Sequence, residues 1–300
     1  PFMLGMPLPQ FQATGEGQVE FSGSDNSAGL AGALQVRIAR LETLQPELQS
    51  IGELTATTNF DARKAGDDLR VTQLRLVLSG ARPVIEVEAL QGLEFNTATG
   101  ELRVADPDTE LLDLQLRGLP LEWAQPFVEG YTITGGPLQG SWRAAARDGG
   151  FVLRSTTPLR SGGLSVSSPD GPLLQGVDLG MSVSGEYVPS GWQGRIENGH
   201  LQSGTVRWLT FESRAGQALA PGAALVATTR FNVDLAGALP QPVMEPYRMV
   251  QAGSVSGDAI VALGQQVELA AEFLLTGLVA IGETMPRVSL KARADRTEDG

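Results

Sequence analysis

The feature that most constrains this chain is an alternation of apolar and polar residues that recurs along its length. In "FNVDLAG", Phe231, Val233 and Leu235 fall on one side of an extended strand, and Asn232 and Asp234 fall on the other. Successive side chains of a β-strand point to opposite faces, so this period of two predicts strands with one apolar and one polar face. Such strands are typical of an antiparallel sheet that is solvated on one side. We therefore predict an all-β protein.

The same alternation identifies a set of apolar positions that share one face of the predicted sheet. They come from "LLDLQLRG", "ALVATTRFNVDLAG" and "VELAAEFLL". The set comprises Leu112, Leu114, Leu116, Leu225, Phe231, Val233, Leu235, Val267, Leu269 and Phe273. A second pattern, "RVSLKARAD", places Val288 and Leu290 on the apolar side of a further strand.

Turn residues separate these strands, as the 37 glycines and 18 prolines lead one to expect. Three clusters predict hairpin turns: Gly66-Asp67-Asp68, Asp148-Gly149-Gly150 and Pro169-Asp170-Gly171. In "DLRVTQLRLVLSG" the apolar phase slips between Val71 and Leu74, and a β-bulge near Gln73 accounts for the slip.

Helical signals are few and short. Apolar residues recur at helical intervals from Leu41 to Ile51, but Pro46 lies inside this stretch and limits it to one or two turns. The segment "LPLEWAQPFVEG" likewise suits a short apolar helix that is broken near Pro126. The prediction is thus a sheet with short helical corners.

One of these corners occurs twice. The stretch "LPLEWAQPF" from Leu119 aligns with "LPQPVMEPY" from Leu239, and each is followed by a GxxxG spacing, at Gly136 and Gly253. We interpret the pair as a repeat. The predicted segments are 1–110, 111–230 beginning with the first corner, and 231–300 as a truncated second copy. Because "PFMLGMPLPQ" starts without Met and inside the pattern, we interpret the whole chain as a piece of a longer polypeptide.

Charge and residue usage exclude several functional classes. The net charge of −12 and the pI of about 4.6 disfavour nucleic acid as a partner, because its binding requires Lys and Arg to neutralise phosphates. They also disfavour docking on anionic lipid through a basic patch. The absence of cysteine is compatible with a bacterial envelope location.

No residue pattern predicts catalysis, a cofactor or a metal. The single histidine, His200, is interpreted as a solvated loop residue, and no GxSxG elbow supplies a serine for a triad. Glu86 and Glu88 lie on the polar face of a strand, where two carboxylates are usually hydrated. The segment "DPDTE", 106–110, lacks the ligand number of an EF-hand loop and is interpreted as a turn.

The corner and its flanking strands support a family resemblance. A strand ending in "LRGLPL", the corner "WAQPFVEG" and the return "TGGPLQG" resemble the C-terminal repeats of AsmA-like proteins, which are related to TamB. The resemblance implies a long curved antiparallel sheet that forms an open apolar groove. It further implies a segment that binds or conducts phospholipid between inner and outer membranes and so supports outer-membrane homeostasis. The implied location is the periplasm of a Gram-negative bacterium, with an inner-membrane anchor helix outside this sequence and membrane proteins at the groove ends.

Two interpretations of the apolar face remain open. A one-faced sheet must cover its apolar side, either with a second layer of protein or with a ligand. The residues alone favour a sandwich or barrel core, whereas the resemblance favours a groove lined by the apolar set and filled by acyl chains. The corner residues Trp123, Phe127 and Tyr247 then either contact acyl chains or plug the corners. The alternative function is a structural or adhesive surface protein, built as a β-sandwich or solenoid without a ligand.

Overall fold

The computed structural model describes residues 9–23, 26–43, 46–128, 130–220, 222–263, 267–285 and 287–296. About 72% of these described residues are in strands and 8% are in helices. Within the described ranges, nineteen strands belong to one antiparallel sheet that does not close on itself. The predicted all-β fold, an open antiparallel sheet with short helical corners, is confirmed.

The chain divides into two compact units. The first takes Pro1–Gly130 and Pro137–Thr157, and the second takes Tyr131–Gly136 and Pro158–Gly300. These are units of packing, whereas the segments 1–110, 111–230 and 231–300 are units of sequence repetition. The segment boundaries therefore stay a prediction.

The strands of the first unit are β1 (Gln10–Ser22), β2 (Ser27–Ala39), β3 (Leu54–Ala65), β4 (Asp68–Ser79), β5 (Pro83–Ala89), β6 (Leu93–Asn96), β7 (Leu102–Val104), β8 (Glu110–Leu119) and β10 (Leu138–Arg147). Antiparallel pairing connects β1 to β2, β2 to β3, β3 to β4, β4 to β5, β5 to β8 and β8 to β10. The short 3-10 helices of this unit are Leu41–Thr43, Pro46–Ile51 and the first corner, Leu121–Phe127. The first corner ends one residue after Pro126, close to the predicted break.

The predicted turns and the predicted bulge of this unit are present. Ala65 pairs with Asp68 across a two-residue turn in which Gly66 has a φ of +57°. The pairing of β3 with β4 then shifts register, because Asp61 faces Gln73 while the next residue, Ala62, faces Val71. This extra residue keeps the apolar side chains on one face on both sides of the bulge.

The strands of the second unit are β9 (Thr132–Thr134), β12 (Gly171–Val188), β13 (Gly191–Ser203), β14 (Val206–Ala218), β15 (Leu225–Asp234), β16 (Val250–Leu263), β17 (Val267–Ala280), β18 (Glu283–Thr284) and β19 (Val288–Arg296). Pairing runs continuously from β12 through β13, β14, β15, β16 and β17 to β19. The strand β11 (Gly150–Ser168) contributes residues to both units. Its C-terminal half pairs with β9.

The second corner is also helical, but it meets its strands differently. A short α-helix, α1 (Leu235–Ala238), precedes the 3-10 turn Pro242–Tyr247. In the first copy Gly140 pairs with Leu116, three residues before the Leu-Pro step, whereas in the second Gly257 pairs with Phe231, eight residues before it. The helix α1 occupies residues that are strand in the first copy, which moves the pairing away from the corner.

The buried core of the second unit lies beneath this corner. Val177, Leu201, Trp208 and Ala238 form one cluster. The partly buried residues packed around it are Leu164, Leu174, Leu179, Leu209, Val233 and Met244. The buried side chain of Gln241 fastens the corner, because its Oε1 accepts the Gln175 N–H at 2.9 Å and its Nε2 donates to Ser203 Oγ at 3.0 Å.

Two glycines in the strands are covered by an aromatic ring from the neighbouring strand. Phe231 pairs with Gly257, and a Cβ added to Gly257 would lie 2.7 Å from Phe231 Cζ. Phe211 covers Gly199 in the same way. A ring lying over a cross-strand glycine covers backbone that would otherwise be solvated, and this pairing helps to hold the register.

We predict that Gly257→Ala destabilises the protein by about 1–3 kcal/mol, the usual cost of overpacking. The added methyl would also lie 2.6 Å from the backbone oxygen of Glu272. The control is Gly194→Ala, where no heavy atom outside the neighbouring residues approaches closer than 3.9 Å. That change is expected to be neutral or stabilising. The stabilities of Gly257→Ala and Gly194→Ala are compared by their urea denaturation midpoints. Equal midpoints for the two variants would contradict the close packing at Gly257.

Candidate functional site

The apolar face of the second unit contains a continuous row of side chains that crosses five strands. Cross-strand pairing aligns Phe211 with Phe231, Phe231 with Gly257, Gly257 with Phe273, and Phe273 with Leu290. The rings of Phe231 and Phe273 lie 5.9 Å apart at 56°, above the glycine between them. This tilted geometry is favourable for aromatic pairs.

Further apolar rows flank this aromatic row. On one side lies the row Leu209, Val233, Val255, Leu275 and Val288. On the other side, the row Ser213, Thr229, Ala259, Ala271 and Ala292 comes first, with a 2.9 Å hydrogen bond between the Ser213 and Thr229 hydroxyls. The next row contains Ala215, Ala227, Val261, Leu269 and Ala294. Most of these side chains are half-buried by their lateral neighbours, yet Leu269 remains 45% exposed and Leu290 64% exposed. The face is therefore apolar and still open to solvent in part.

The predicted lining residues of this unit do not all lie in the same environment. Leu225, Phe231, Leu269 and Phe273 have positions on the open face. Val233 lies on that face too, but it packs against the buried cluster.

The last two predicted residues of this unit are Leu235 and Val267. Leu235 begins α1 and is 9% exposed, so it belongs to the corner rather than to a strand row. Val267 pairs with Leu263 in the backbone, and its side chain lies outside the described residues.

In the first unit, Leu112, Leu114 and Leu116 share one face of β8 and are half-buried. Leu114 pairs with Val87 on one side and with Trp142 on the other. They thus belong to an apolar face of their own unit.

Two of the most deeply buried residues of the first unit, Leu111 and Val84, do not belong to the predicted lining set. They occupy the strand positions next to Leu112 and Ile85, out of phase with the apolar alternation. Burial here depends on tertiary packing that the alternation alone does not encode.

The corner residues lie at the ends of strands. The Trp123 ring lies against Gly80, with its Cζ2 atom 3.2 Å from the position that a Cβ there would take. Ser50 Oγ donates to the Glu122 carbonyl at 3.1 Å and joins this corner to the preceding 3-10 turn. The side chain of Phe127 lies outside the described residues, and Tyr247 is 57% exposed.

Sequence reasoning missed a polar depression in the second unit. It has a volume of about 690 Å³ and is lined mostly by side chains of the polar face. Arg195 lies directly opposite Arg214 on the paired strands, while Arg230 donates to Asp258 at 2.9 Å. This mixed-charge depression is not the apolar channel that the resemblance implies, and only the register brings its residues together.

The interpretation of His200 as a loop residue is wrong. His200 lies in β13, half-buried, with its ring against Gly180 and its Nδ1 atom 2.9 Å from the Asn198 carbonyl oxygen. Asn198 has a φ of +54° at an irregularity in the pairing of β13 with β14. The turn-like letters "ENG" therefore mark a bulge within a strand rather than a loop.

The candidate carboxylates have structural partners. Asp106 accepts hydrogen bonds from Thr109 Oγ1 at 2.6 Å and from the Asp108 N–H at 3.0 Å, so the predicted turn is present. The Thr109 bond is the main reason why the pKa of Asp106 lies below its usual value. Glu86 accepts hydrogen bonds from Arg75 and Arg117, both at 2.7 Å.

Two further searches cover the described ranges only. Within them, no three His, Cys, Asp or Glu side chains come together in a way that could hold a metal ion. The helices of this part of the chain are all too short or too polar to cross a membrane. No protein-family model, curated protein or solved structure matches the chain.

We predict that Glu86→Gln lowers the free energy of unfolding by roughly 1 kcal/mol at neutral pH, because exposed guanidinium partners contribute little each. The hydrogen bond from Arg75, aided by Arg117, lowers the pKa of Glu86 from its ordinary value near 4.5. A lowered carboxyl pKa stabilises the fold above that ordinary value, and the stabilisation disappears as pH falls through the lowered pKa.

The difference between the wild type and Glu86→Gln should accordingly shrink as denaturation is repeated from pH 7 down to acidic pH. Glu88→Gln, two residues along the same strand and more exposed, is the control and should change stability less. A difference that stays constant with pH would show that Glu86 contributes through packing and not through its charge.

Proposed function

We propose that the apolar sheet face binds the acyl chains of phospholipids. The observation that carries this proposal is the partly exposed row from Phe211 to Leu290, which crosses five paired strands. Neighbouring strands lie about 4.8 Å apart, so the row extends for roughly 20 Å. That length suits an extended hydrocarbon tail laid across the strands.

The chemistry of the row supports the same ligand. The row consists of three phenylalanines, one glycine and Leu290. Leu290 in this row and Leu269 in another row of the same face retain exposed apolar surface. Each methylene of a bound tail that leaves water contributes about 0.8 kcal/mol. The opposite face carries exposed charged residues such as Arg230 and Asp258, so a tail gains little there.

The resemblance to AsmA-like proteins extends this proposal to a biological setting. In that setting the chain is a segment of a TamB-related periplasmic protein that conducts phospholipid between inner and outer membranes. An inner-membrane anchor and membrane proteins at the ends of the sheet belong to the same proposal. Its role is then outer-membrane homeostasis by binding and guiding lipid, without a catalytic step.

A structural or adhesive scaffold is the second candidate. The observation that favours it is the corner cluster, in which Trp208, Ala238 and their neighbours cover one end of the apolar face with the protein's own side chains. A scaffold needs no ligand on the remaining face. Lipid binding by that remaining face therefore separates the two functions.

We predict that Leu269→Asp strongly reduces phospholipid binding, because a carboxylate on the apolar face must be desolvated by a bound tail. The matched control is Ile260→Asp. Ile260 is 47% exposed, close to the 45% of Leu269, but it lies on the opposite face of the neighbouring strand. The measurement is native mass spectrometry of each protein after incubation with phospholipid vesicles and re-purification.

The expected result is bound phospholipid on the wild type and on Ile260→Asp, and little on Leu269→Asp. Equal loading of the two variants, or a wild type without lipid, would leave only the scaffold function. Leu269 is a better test position than Val233, because Val233 packs against the buried cluster and a charge there would unfold the corner. Thermal melting of both variants checks that folding is retained.

A further inference from the structure

The strand β13 contains one residue that takes part in neither of its ladders. The pairing with β12 passes from Glu197 directly to His200. The pairing with β14 passes from Ile196 directly to Gly199. Asn198 is skipped in both registers, and its φ of +54° is uncommon for a residue other than glycine. The backbone at Asn198 is therefore released from the geometry of a regular strand.

The side chain of Asn198 is exposed, and within the described residues its amide has no hydrogen-bond partner. Asn96 provides the contrast, because its Nδ2 donates to Asp68 Oδ1 at 2.8 Å and its Oδ1 accepts the Thr99 N–H at 2.9 Å. An amide that is held at both ends in this way cannot turn towards its own backbone. The amide of Asn198 is free to do so.

The residue after Asn198 leaves the backbone accessible to this amide. Of the five asparagines in the sequence, only Asn198 is followed by glycine. Gly199 has no side chain that could shield its own peptide nitrogen from the Asn198 amide. Asparagine is a chemically labile residue, because the peptide nitrogen that follows it can attack its side-chain amide. The sequence and the bulge therefore favour this attack at the same position.

The ring of His200 contacts the same peptide unit. Its Nδ1 atom lies 2.9 Å from the Asn198 carbonyl oxygen, and because that oxygen can only accept, Nδ1 carries the proton of this hydrogen bond. The Asn198 carbonyl and the Gly199 nitrogen form one resonance-coupled amide. A hydrogen bond to the oxygen stabilises the anion that this amide becomes when its nitrogen loses a proton. His200 thus raises the fraction of the nucleophilic, deprotonated form.

We propose that Asn198 is a self-modification site, at which the Gly199 nitrogen displaces ammonia from the side-chain amide with the help of His200. A base in the solvent takes the proton of the Gly199 nitrogen, which attacks Cγ of Asn198. The new bond joins that nitrogen to Cγ, the Cγ–Nδ2 bond breaks, and Nδ2 leaves as ammonia with a proton from water. The product is a five-membered cyclic imide, and no atom is oxidised or reduced.

Water then opens the imide in two ways. Hydrolysis at Cγ gives aspartate, and hydrolysis at the main-chain carbonyl gives isoaspartate, in which the main chain runs through Cγ. Both products add a carboxylate to the residues that line the polar depression, which already include Glu197 and Glu212. Isoaspartate also adds one methylene to the main chain at the bulge between β13 and β14. Since register decides which face each side chain occupies, this product should weaken the pairing of those two strands.

The test incubates the full chain at mildly alkaline pH and physiological temperature, and measures amide loss at each asparagine by peptide mapping and mass spectrometry. Amide loss should accumulate at Asn198. It should be at least about tenfold slower at Asn59 and Asn232, because those residues pair on both sides and their ladders must open first. The Asn198 peptide should contain both aspartate and isoaspartate, the two products of an imide.

The variant His200→Gln tests the contribution of the ring. Amide loss at Asn198 should slow by roughly three- to tenfold, the rate equivalent of one hydrogen bond. In concentrated urea, where the contact is absent, the wild type and the variant should react at the same rate. The control is Gln202→Ala, two residues beyond His200 in β13, which should react as the wild type does. Thermal melting checks that each variant is folded during the incubation.

The proposal fails if Asn198 keeps its amide in the folded wild type while losing it in urea, because the fold would then protect the site. It also fails if folded His200→Gln reacts as fast as the wild type. Aspartate without isoaspartate would overturn it as well, since direct hydrolysis of the side chain forms no imide. The first comparison uses the wild type alone, so it decides even where a variant is unstable. No lipid is present in these measurements, so their outcome leaves the lipid-binding proposal untouched.

Discussion

Cross-strand register is the constraint on which this structure depends. In an antiparallel sheet, a slip of one residue moves every apolar side chain of a strand to the other face. Local devices prevent this here. The bulge opposite Asp61 restores the apolar phase of β4, and the irregularity at Asn198 does the same between β13 and β14. Between β15, β16 and β17 the register is regular around Gly257, so Phe231 and Phe273 meet above it although 42 positions separate them in the sequence.

The side chains of a face aligned in this way are stabilised by lateral contacts with the neighbouring strands of the same sheet. Phe231 covers Gly257, while Leu269 and Leu290 stay partly exposed. The exception lies beneath the second corner, where Trp208 and Ala238 are buried. The same face thus includes a part closed by the protein and a part open to a ligand. This division places the proposed lipid contact along β15, β17 and β19 rather than near the corner.

Local sequence was sufficient wherever structure depends on neighbours along the chain. The alternation around Phe231, the bulge near Gln73 and the corner before Pro126 all followed from residues within a few positions. Features that depend on distant pairing did not. The opposition of Arg195 and Arg214 exists only because β13 and β14 adopt one register. Leu235 continues the alternating pattern in the sequence, yet it is the first residue of the helix α1. The corner that follows α1 is held by the hydrogen bonds of Gln241 to Gln175 and Ser203.

The open apolar face of the second unit follows from how a sheet covers its own residues. Strands that pair side by side shield each other laterally, and the face of the sheet still needs a second layer or a ligand. Phe231 covers Gly257 in this lateral way, whereas Leu269 and Leu290 keep exposed apolar surface. Lateral packing therefore stabilises the strands without using the surface that the proposed acyl chain would cover.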